Sequence, residues 1–402
     1  MTEITDRITP EMSEEEVLGV ILDEIMARAE PDVAEAIRFC AIPHWFNEEI
    51  IAWLRGEGVK PSQRSGEILA TLTELTFVGP YHERGWAYHE NVRDLLLRRW
   101  RERDGEEFQE LSGRAAEYFG QKAEAATGEE CDEWERERMY HLLVADEERG
   151  FELFYSMFGW ATKFHRLSTC DHLLKLVEEQ WRYLTREHQL WWRFGRGKLK
   201  YDSSEWEEAL EIFEGLWKED LPSILESALA NDLGSLYHDK GEWERAIEYY
   251  ERSLAIAEKV DNKHRMATTF NNLGLVYRDK GECERAIEYY ERSLAIAEKV
   301  GDEHGLAAAL HNLGLVHQDR RGWKQAIEYY GRSLAINEKL GDEYHKGMVL
   351  WNRAATYYQM DIAEKALVDI EQAVAIFKKF SSLHLEPARG LLEKIRAKAR
   401  GG

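Results

Sequence analysis

Apolar residues recur through most of this chain three and four positions apart, the spacing that lays one face of a helix against a core. Val17, Ile21 and Ile25 form the first such stripe, behind a capping-box pattern of Ser13 and Glu16. Pro31 suits the first turn of a helix over residues 33–40. Another follows Asn47 through Trp53 and Leu54, and Pro61-Ser62 opens a third whose Ile68, Leu69, Leu72 and Leu75 face inward. The period then changes. Phe77-Val78-Gly79-Pro80, a YHERG turn and Trp86-Ala87-Tyr88 predict a hairpin of two short strands, and His89 begins the next helix. Helical stripes return from 105 to 190. Phe108, Leu111, Ala115, Tyr118 and Phe119 make one, and Tyr140, Leu142 and Leu143 fall on the next. Trp160, Ala161 and Phe164, then Leu173, Leu174, Leu176 and Val177, continue the pattern. The joint between the first two is expected at 123–129, around Thr127-Gly128.

The next stretch repeats itself. Residues 239–260 read DKGEWERAIEYYERSLAIAEKV and residues 279–300 read DKGECERAIEYYERSLAIAEKV, differing only at Trp243 and Cys283, 40 residues apart. A looser copy, NLGLVHQDRRGWKQAIEYYGRSLAINEKL, covers 312–340. A helical hairpin of this length has an apolar face that it cannot bury alone, so successive copies stack. Small residues mark where helices approach: Gly234, Gly274 and Gly314 on the first helix, Ala246, Ala286, Ala326 and Ala366 on the second. Tyr250, Tyr290 and Tyr330 fill between them, and Tyr249, Tyr289 and Tyr329 are expected to pack between repeats. An earlier copy shows in Gly197, Trp206, Ala209 and Phe213, and a degenerate last one in Tyr357, Ala366 and Ala373. The loops begin Asp261-Asn262, Gly301-Asp302 and Gly341-Asp342, with Gly or Asn suited to ending one helix and Asp to capping the next. The basic stretch 387–400 reads as a capping helix.

Composition narrows the function classes. With a formal net charge of −23 over 402 residues, the chain argues against general affinity for nucleic acid or an anionic membrane. The four cysteines, Cys40, Cys131, Cys170 and Cys283, make neither a CxxC pair nor a disulfide framework. The acidic N-terminus lacks a secretory apolar core, and no apolar run is long enough to span a bilayer, so a cytoplasmic location is expected. His165, Cys170 and His172 are close in sequence but lack a fourth donor and a tight pair, so a helix junction is expected there. No phosphate loop is present, since Leu199 follows Gly197-Lys198, and no HExxH or nucleophile elbow occurs. An enzyme is not expected, and no cofactor.

The recurring L-G-x-x-Y…A-x-x-x-[YF] pattern resembles the tetratricopeptide repeat. The 40-residue period with N-L-G on the first helix is similar to the longer repeats of kinesin light chains and spindle-orientation adaptors. That resemblance implies a concave groove lined by the first helices, in which asparagines ahead of Leu-Gly hydrogen-bond an extended peptide. The matching residues are Asn272, Asn312 and Asn352; Asp232 departs from the pattern, and Arg353-Ala354 follows Asn352. Groove neighbours Asn231, His238, Asn271, Arg278, His311, Gln318 and Trp351 would then select the partner. Asp239, Asp279 and Asp319 nearby suggest a peptide or helix carrying Lys or Arg.

Three helices, a wing, then Tyr88-His89-Glu90 and Val92-Arg93-Asp94-Leu95-Leu96 resemble the winged-helix module of STAND signalling ATPases, over about 31–104. In that family the motif histidine, here His89, reaches a nucleotide phosphate; the nucleotide-binding domain itself is not recognisable. Arg64 on the candidate recognition helix is accompanied by Glu67 and Glu74, and the basic cluster Arg98, Arg99, Arg101 and Arg103 falls on another helix, so DNA binding is not favoured.

The expected fold is mainly α: an α-solenoid of tetratricopeptide hairpins preceded by a small winged-helix-like α+β module. The expected organisation is an arm (1–30), the winged-helix-like module (31–122), a helical connector (123–190), the repeat array (191–380) and a cap (381–402). The expected function is a non-catalytic scaffold or adaptor that binds a partner protein. The alternatives are a regulatory component of a STAND-like signalling or defence system and a winged-helix transcription regulator.

Overall fold

The computed structural model describes residues 7–9, 11–163, 166–380 and 382–401; Phe164 and His165 lie outside them. The described residues form twenty α-helices and one two-stranded sheet, in two compact units, Met1–Trp192 and Arg193–Gly402. The expected boundaries at 122/123 and 190/191 both fall inside helices.

In the first unit, α1 (Glu14–Arg28) starts at the expected capping box, Ser13 Oγ accepting from the Glu16 amide and Glu16 accepting from the Ser13 amide. Helices α2 (Pro31–Phe39), α3 (Glu48–Leu54) and α4 (Gln63–Thr73) follow, the last two capped by Asn47 and Ser62. Strands β1 (Val78–Tyr81) and β2 (Gly85–Tyr88) pair antiparallel, Val78 opposite Tyr88. Tyr81 and Gly85 belong to the strands, so the expected turn is shorter. Phe46 adds a bridge to Trp86, and a Cβ at Gly85 would lie 2.3 Å from the Phe46 carbonyl oxygen, which requires glycine there. Then come α5 (Glu90–Arg103), α6 (Gly105–Ala125), α7 (Glu129–Ala145), α8 (Glu147–Lys163) and α9 (Leu167–Glu179). One core joins α1–α7, from Leu22 through Phe46 and Trp100 to Phe119.

The second unit is the repeat array. After α10 (Arg186–Asp202), which crosses into it, and α11 (Trp206–Trp217), first and second helices alternate. They are α12 (Ser223–Asp239) and α13 (Trp243–Lys259), α14 (Lys263–Asp279) and α15 (Cys283–Val300), α16 (Glu303–Asp319) and α17 (Trp323–Leu340), α18 (Glu343–Gln359) and α19 (Ala363–Lys379). Helix α20 (Leu385–Gly401) closes the end by packing on α19. Inside each hairpin the first-helix glycine faces the second-helix tyrosine. A Cβ on Gly234, Gly274 or Gly314 would approach the ring of Tyr250, Tyr290 or Tyr330 to 2.7, 2.5 and 2.5 Å. One period on, both partners change together, to Ala354 and Ile370, and both are fully buried.

Three features refine the expectations. Tyr249, Tyr289 and Tyr329 stack within their own hairpins, on Tyr237 at 5.4 Å, Tyr277 at 5.2 Å and His317 at 5.2 Å, and Tyr249 also packs between repeats as expected, edge-on to Trp217 at 5.5 Å. In the loop after α13 the roles are exchanged: Asp261 takes the left-handed conformation and Asn262 caps α14, because either side chain tolerates both and position decides. Gly301 and Gly341 are left-handed and Asp302 and Asp342 cap, as expected. A serine staple was not anticipated. Ser253, Ser293 and Ser333 are buried on the second helices and donate to the carbonyls of Ser227, Ala267 and Ala307 at 2.8 Å, binding each hairpin to itself.

The tyrosine hydroxyls differ. Tyr250 donates to Ser235 at 3.0 Å and Tyr330 to Gln318 at 2.8 Å, whereas the Tyr290 hydroxyl is buried without a partner among the described residues. Leu275 and Arg278 stand where Ser235 and Gln318 serve the other copies. A buried hydroxyl without a partner carries its desolvation cost uncompensated. Tyr290→Phe should therefore leave the melting temperature unchanged or raise it, while Tyr330→Phe should cost about 0.5–1.5 kcal/mol. Thermal unfolding followed by circular dichroism reads both, and a larger loss for Tyr290→Phe than for Tyr330→Phe contradicts the assignment.

Candidate functional site

Successive first helices α12, α14, α16 and α18 contact one another, while successive second helices do so marginally at most, so the first helices hold the tighter, inner side of the array. The ten sequence-predicted site residues lie on these helices, and the structure joins most of them in two lines of polar contacts.

The first line is made by the expected asparagine ladder. Asn272 Nδ2 donates to Asn231 Oδ1 at 3.1 Å, Asn312 Nδ2 to Asn271 Oδ1 at 2.9 Å, and Asn352 Nδ2 to His311 Nε2 at 2.8 Å. Each rung reaches back one repeat, 41 residues along the chain. Asn231 is buried and engaged at both ends of its amide: its Oδ1 also accepts from Thr269 and its Nδ2 donates to Asp232. The ladder amides are half-buried, and each uses one N–H, leaving the other N–H and the Oδ1 of Asn272 and Asn312 without partners among the described residues.

The second line runs along the ends of the same helices. His238 Nε2 meets Asp279 Oδ2 at 2.9 Å, and Arg278 Nε meets Asp319 Oδ2 at 3.6 Å. Tyr201 donates to Asp239 at 2.5 Å. Gln318 accepts from both Tyr330 and Thr356. The aspartates expected to attract a basic ligand are thus each engaged by the preceding repeat. Trp351 packs at the closed end, 6.1 Å from the Phe377 ring and 5.5 Å from that of His384. At the other end Lys198 lies 3.9 Å from Asp232 and 3.5 Å from Asp202. Burial works against its charge, but those carboxylates outweigh it and raise its pKa.

Burial, followed by the charges of His345 and Arg278, depresses the His311 pKa to about 4. The neutral ring is also what the ladder requires, because Nε2 must be unprotonated to accept from Asn352.

In the first unit, His89 occupies the N-cap of α5, where its carbonyl accepts from the Val92 and Arg93 amides and its side chain is exposed without a capping bond. Arg93, from the same motif, is buried. It donates to the carbonyls of Ala41 and Ile42 at 3.1 and 3.0 Å and to Tyr140 at 3.0 Å, and pairs with Glu179 at 3.3 Å. Those bonds fasten the turn after α2 to α7 and α9. Arg64 is held by Glu30, Asp32 and Glu67, Arg98 by Glu15, and Arg99 by Asp23. Among the described residues no group of three or more His, Cys, Asp or Glu is arranged to hold a metal ion, and no helix is long and apolar enough to cross a membrane.

Residues 225–299 and 305–379 match the tetratricopeptide repeat family model, so the second unit is built from tetratricopeptide repeats. No curated protein matches the chain. Among solved structures, it resembles a signal transduction ATPase with numerous domains (STAND) protein with a tetratricopeptide repeat sensor, from Pyrococcus horikoshii. The TM-score is 0.62 at 15% identity, over 98% of this chain and 59% of that one. This chain therefore spans about three-fifths of that protein's length. The apo form of RapI is similar at a TM-score of 0.51 and 17% identity, covering 62% of this chain and 71% of its own. A Rap protein complexed with competence and sporulation factor gives 0.51 and 14% over the same shares. At these identities the likeness is one of fold.

The depressed His311 pKa ties stability to pH. The unfolded chain takes up the proton near 6.5 and the folded array only near 4, so stability is lost as pH falls through that window. A shift of that size makes the loss at most about 3 kcal/mol. His311→Gln offers a non-titrating acceptor to Asn352. The difference in melting temperature between wild type and this variant should therefore shift against wild type between pH 6.5 and 4, and parallel curves would rule out the assignment.

Proposed function

We propose that this protein is a non-catalytic interaction scaffold whose tetratricopeptide array binds a peptide or helix of a partner protein along the inner first-helix face. The observation that carries the reading is the half-used ladder: Asn272 and Asn312 each use one donor to bind the preceding repeat and keep a donor and an acceptor. An amide so fixed can pair with a peptide backbone whatever its side chains, at little cost in side-chain entropy. Selectivity then rests on positions where the copies differ, Ser235 and His238 against Leu275 and Arg278. Because Asp239, Asp279 and Asp319 are engaged within the array, hydrogen bonding and apolar fit favour the ligand more than its positive charge does.

A second reading is favoured by the fold match that runs across nearly the whole chain: a regulatory component of a STAND-like signalling system, acting on a separately encoded effector. The two readings share the same groove and differ in what occupies it. A transcription regulator gains no support, since Arg64, Arg98 and Arg99 are neutralised by carboxylates. A cytoplasmic site of action fits either of the favoured readings.

A partner co-purified from the native host and identified by mass spectrometry provides the test ligand. Replacing Asn272 and Asn312 together by Ala should weaken its binding roughly tenfold or more, since each lost hydrogen bond is worth about 1 kcal/mol. Calorimetry well below the melting point, with helicity checked by circular dichroism, separates this from unfolding. Undiminished affinity in the folded double variant sinks the groove model.

A further inference from the structure

A cavity of about 300 Å³ opens in the first unit between α5 and the turn after α9, lined by residues of that unit alone. That volume is at the lower end of small-molecule sites. Its lining includes Arg101, Gln180, Arg182, Tyr183 and Phe108. Arg101 is distinctive. Its guanidinium lies 3.4 Å from the Tyr183 ring centroid and 5.4 Å from that of Phe108, and its Nη1 donates to Gln180 Oε1 at 2.9 Å. Rings and amide together fix the plane of the group. Yet Arg101 forms no ion pair among the described residues, although it is shielded from solvent enough that burial lowers its pKa. Other shielded arginines of this unit, Arg55, Arg84 and Arg93, each face a carboxylate. A desolvated, oriented and unpaired guanidinium is a prepared half of a charge pair. Gln180 is buried, and its Nε2 has no partner among the described residues; Arg182 adds an exposed guanidinium without an ion pair.

We infer that this cavity binds a small organic carboxylate, held by Arg101 with Gln180 and Arg182 and with its body against the Tyr183 ring. One negative charge suits the site better than two. Asp94 and Glu179 also line the cavity, Asp94 two helical turns from Arg101 on α5, and their carboxylates repel multiply charged anions. The carboxylate could belong to a free acid or to the C-terminus of a peptide, and the two sources are separable.

The test uses the full chain and calorimetric titration with benzoate, inorganic phosphate, and a short peptide ending in phenylalanine with its C-terminus free or amidated. Saturable binding of benzoate or the free peptide is expected. Arg101→Gln should weaken it roughly tenfold or more, in keeping with a charge-assisted bond, while Arg149→Gln, at an exposed arginine elsewhere, should not. Tyr183→Ala, at an exposed position, should weaken binding as well and keeps the test decisive if Arg101→Gln fails to fold. Tighter binding of the free peptide than of benzoate, with none of the amide, identifies a chain end; the reverse identifies a free acid. The inference is overturned if neither carboxylate binds saturably, if Arg101→Gln folds and binds as wild type does, or if phosphate is preferred.

Discussion

The contact on which the array depends is the approach of a first-helix backbone to a second-helix ring. Gly234, Gly274 and Gly314 leave no room for a Cβ against Tyr250, Tyr290 and Tyr330. That closeness brings the two helices of a hairpin together and sets where the next first helix can lie. The pairing is of volumes rather than of residue types, since Ala354 appears where Ile370 replaces the tyrosine. The serine staples reinforce the same closure from the other end of the hairpin, by giving a second donor to a helix carbonyl that already accepts within its helix. With intra-hairpin geometry so constrained, the first helices are free to vary on the side that faces away from the tyrosines.

Much of this was legible because repetition marks it. A glycine, an alanine and a tyrosine returning every 40 residues point to close packing before any coordinate is known. The caps were legible for the same reason, except that Asp261 and Asn262 exchange roles, since their local preferences overlap. The inter-repeat contact of Tyr249 with Trp217 was legible, but the stacking of Tyr289 on Tyr277 within its own hairpin was not, because periodicity places a ring on a face without saying which neighbour covers it. The serine staple was missed because serine within a helix carries no strong signal.

The polar contacts between repeats did leave a trace that reading by period alone passes over. Asn231 with Asn272, Asn271 with Asn312, His311 with Asn352 and His238 with Asp279 are all separated by 41 residues, one more than the repeat. Residues of complementary chemistry at the period plus one position lie across adjacent first helices. Comparing each copy with the next, offset by one, would have shown that the expected ligand-binding amides hold the array together first. In the first unit the corresponding blind spot is Arg93. Its motif resemblance drew attention to His89, whose side chain is exposed, while the neighbouring arginine fastens three elements.

That double use of the ladder limits what the groove can do. Every rung points the same way, a later repeat donating to an earlier one, so the array has a direction built into its inner face. A backbone laid along it meets free amide groups in a fixed order, at Asn272 and then Asn312, before the ladder changes character at His311. There the acceptor is a ring nitrogen that must stay neutral, and its neighbours His345 and Arg278 bring positive charge toward it. Protonation of this one rung would break an inter-repeat bond and add a cation beside the groove at the same time. If the groove binds a partner as proposed, stability and recognition are coupled at that point by the same atom, while the rungs built from amides alone are indifferent to pH.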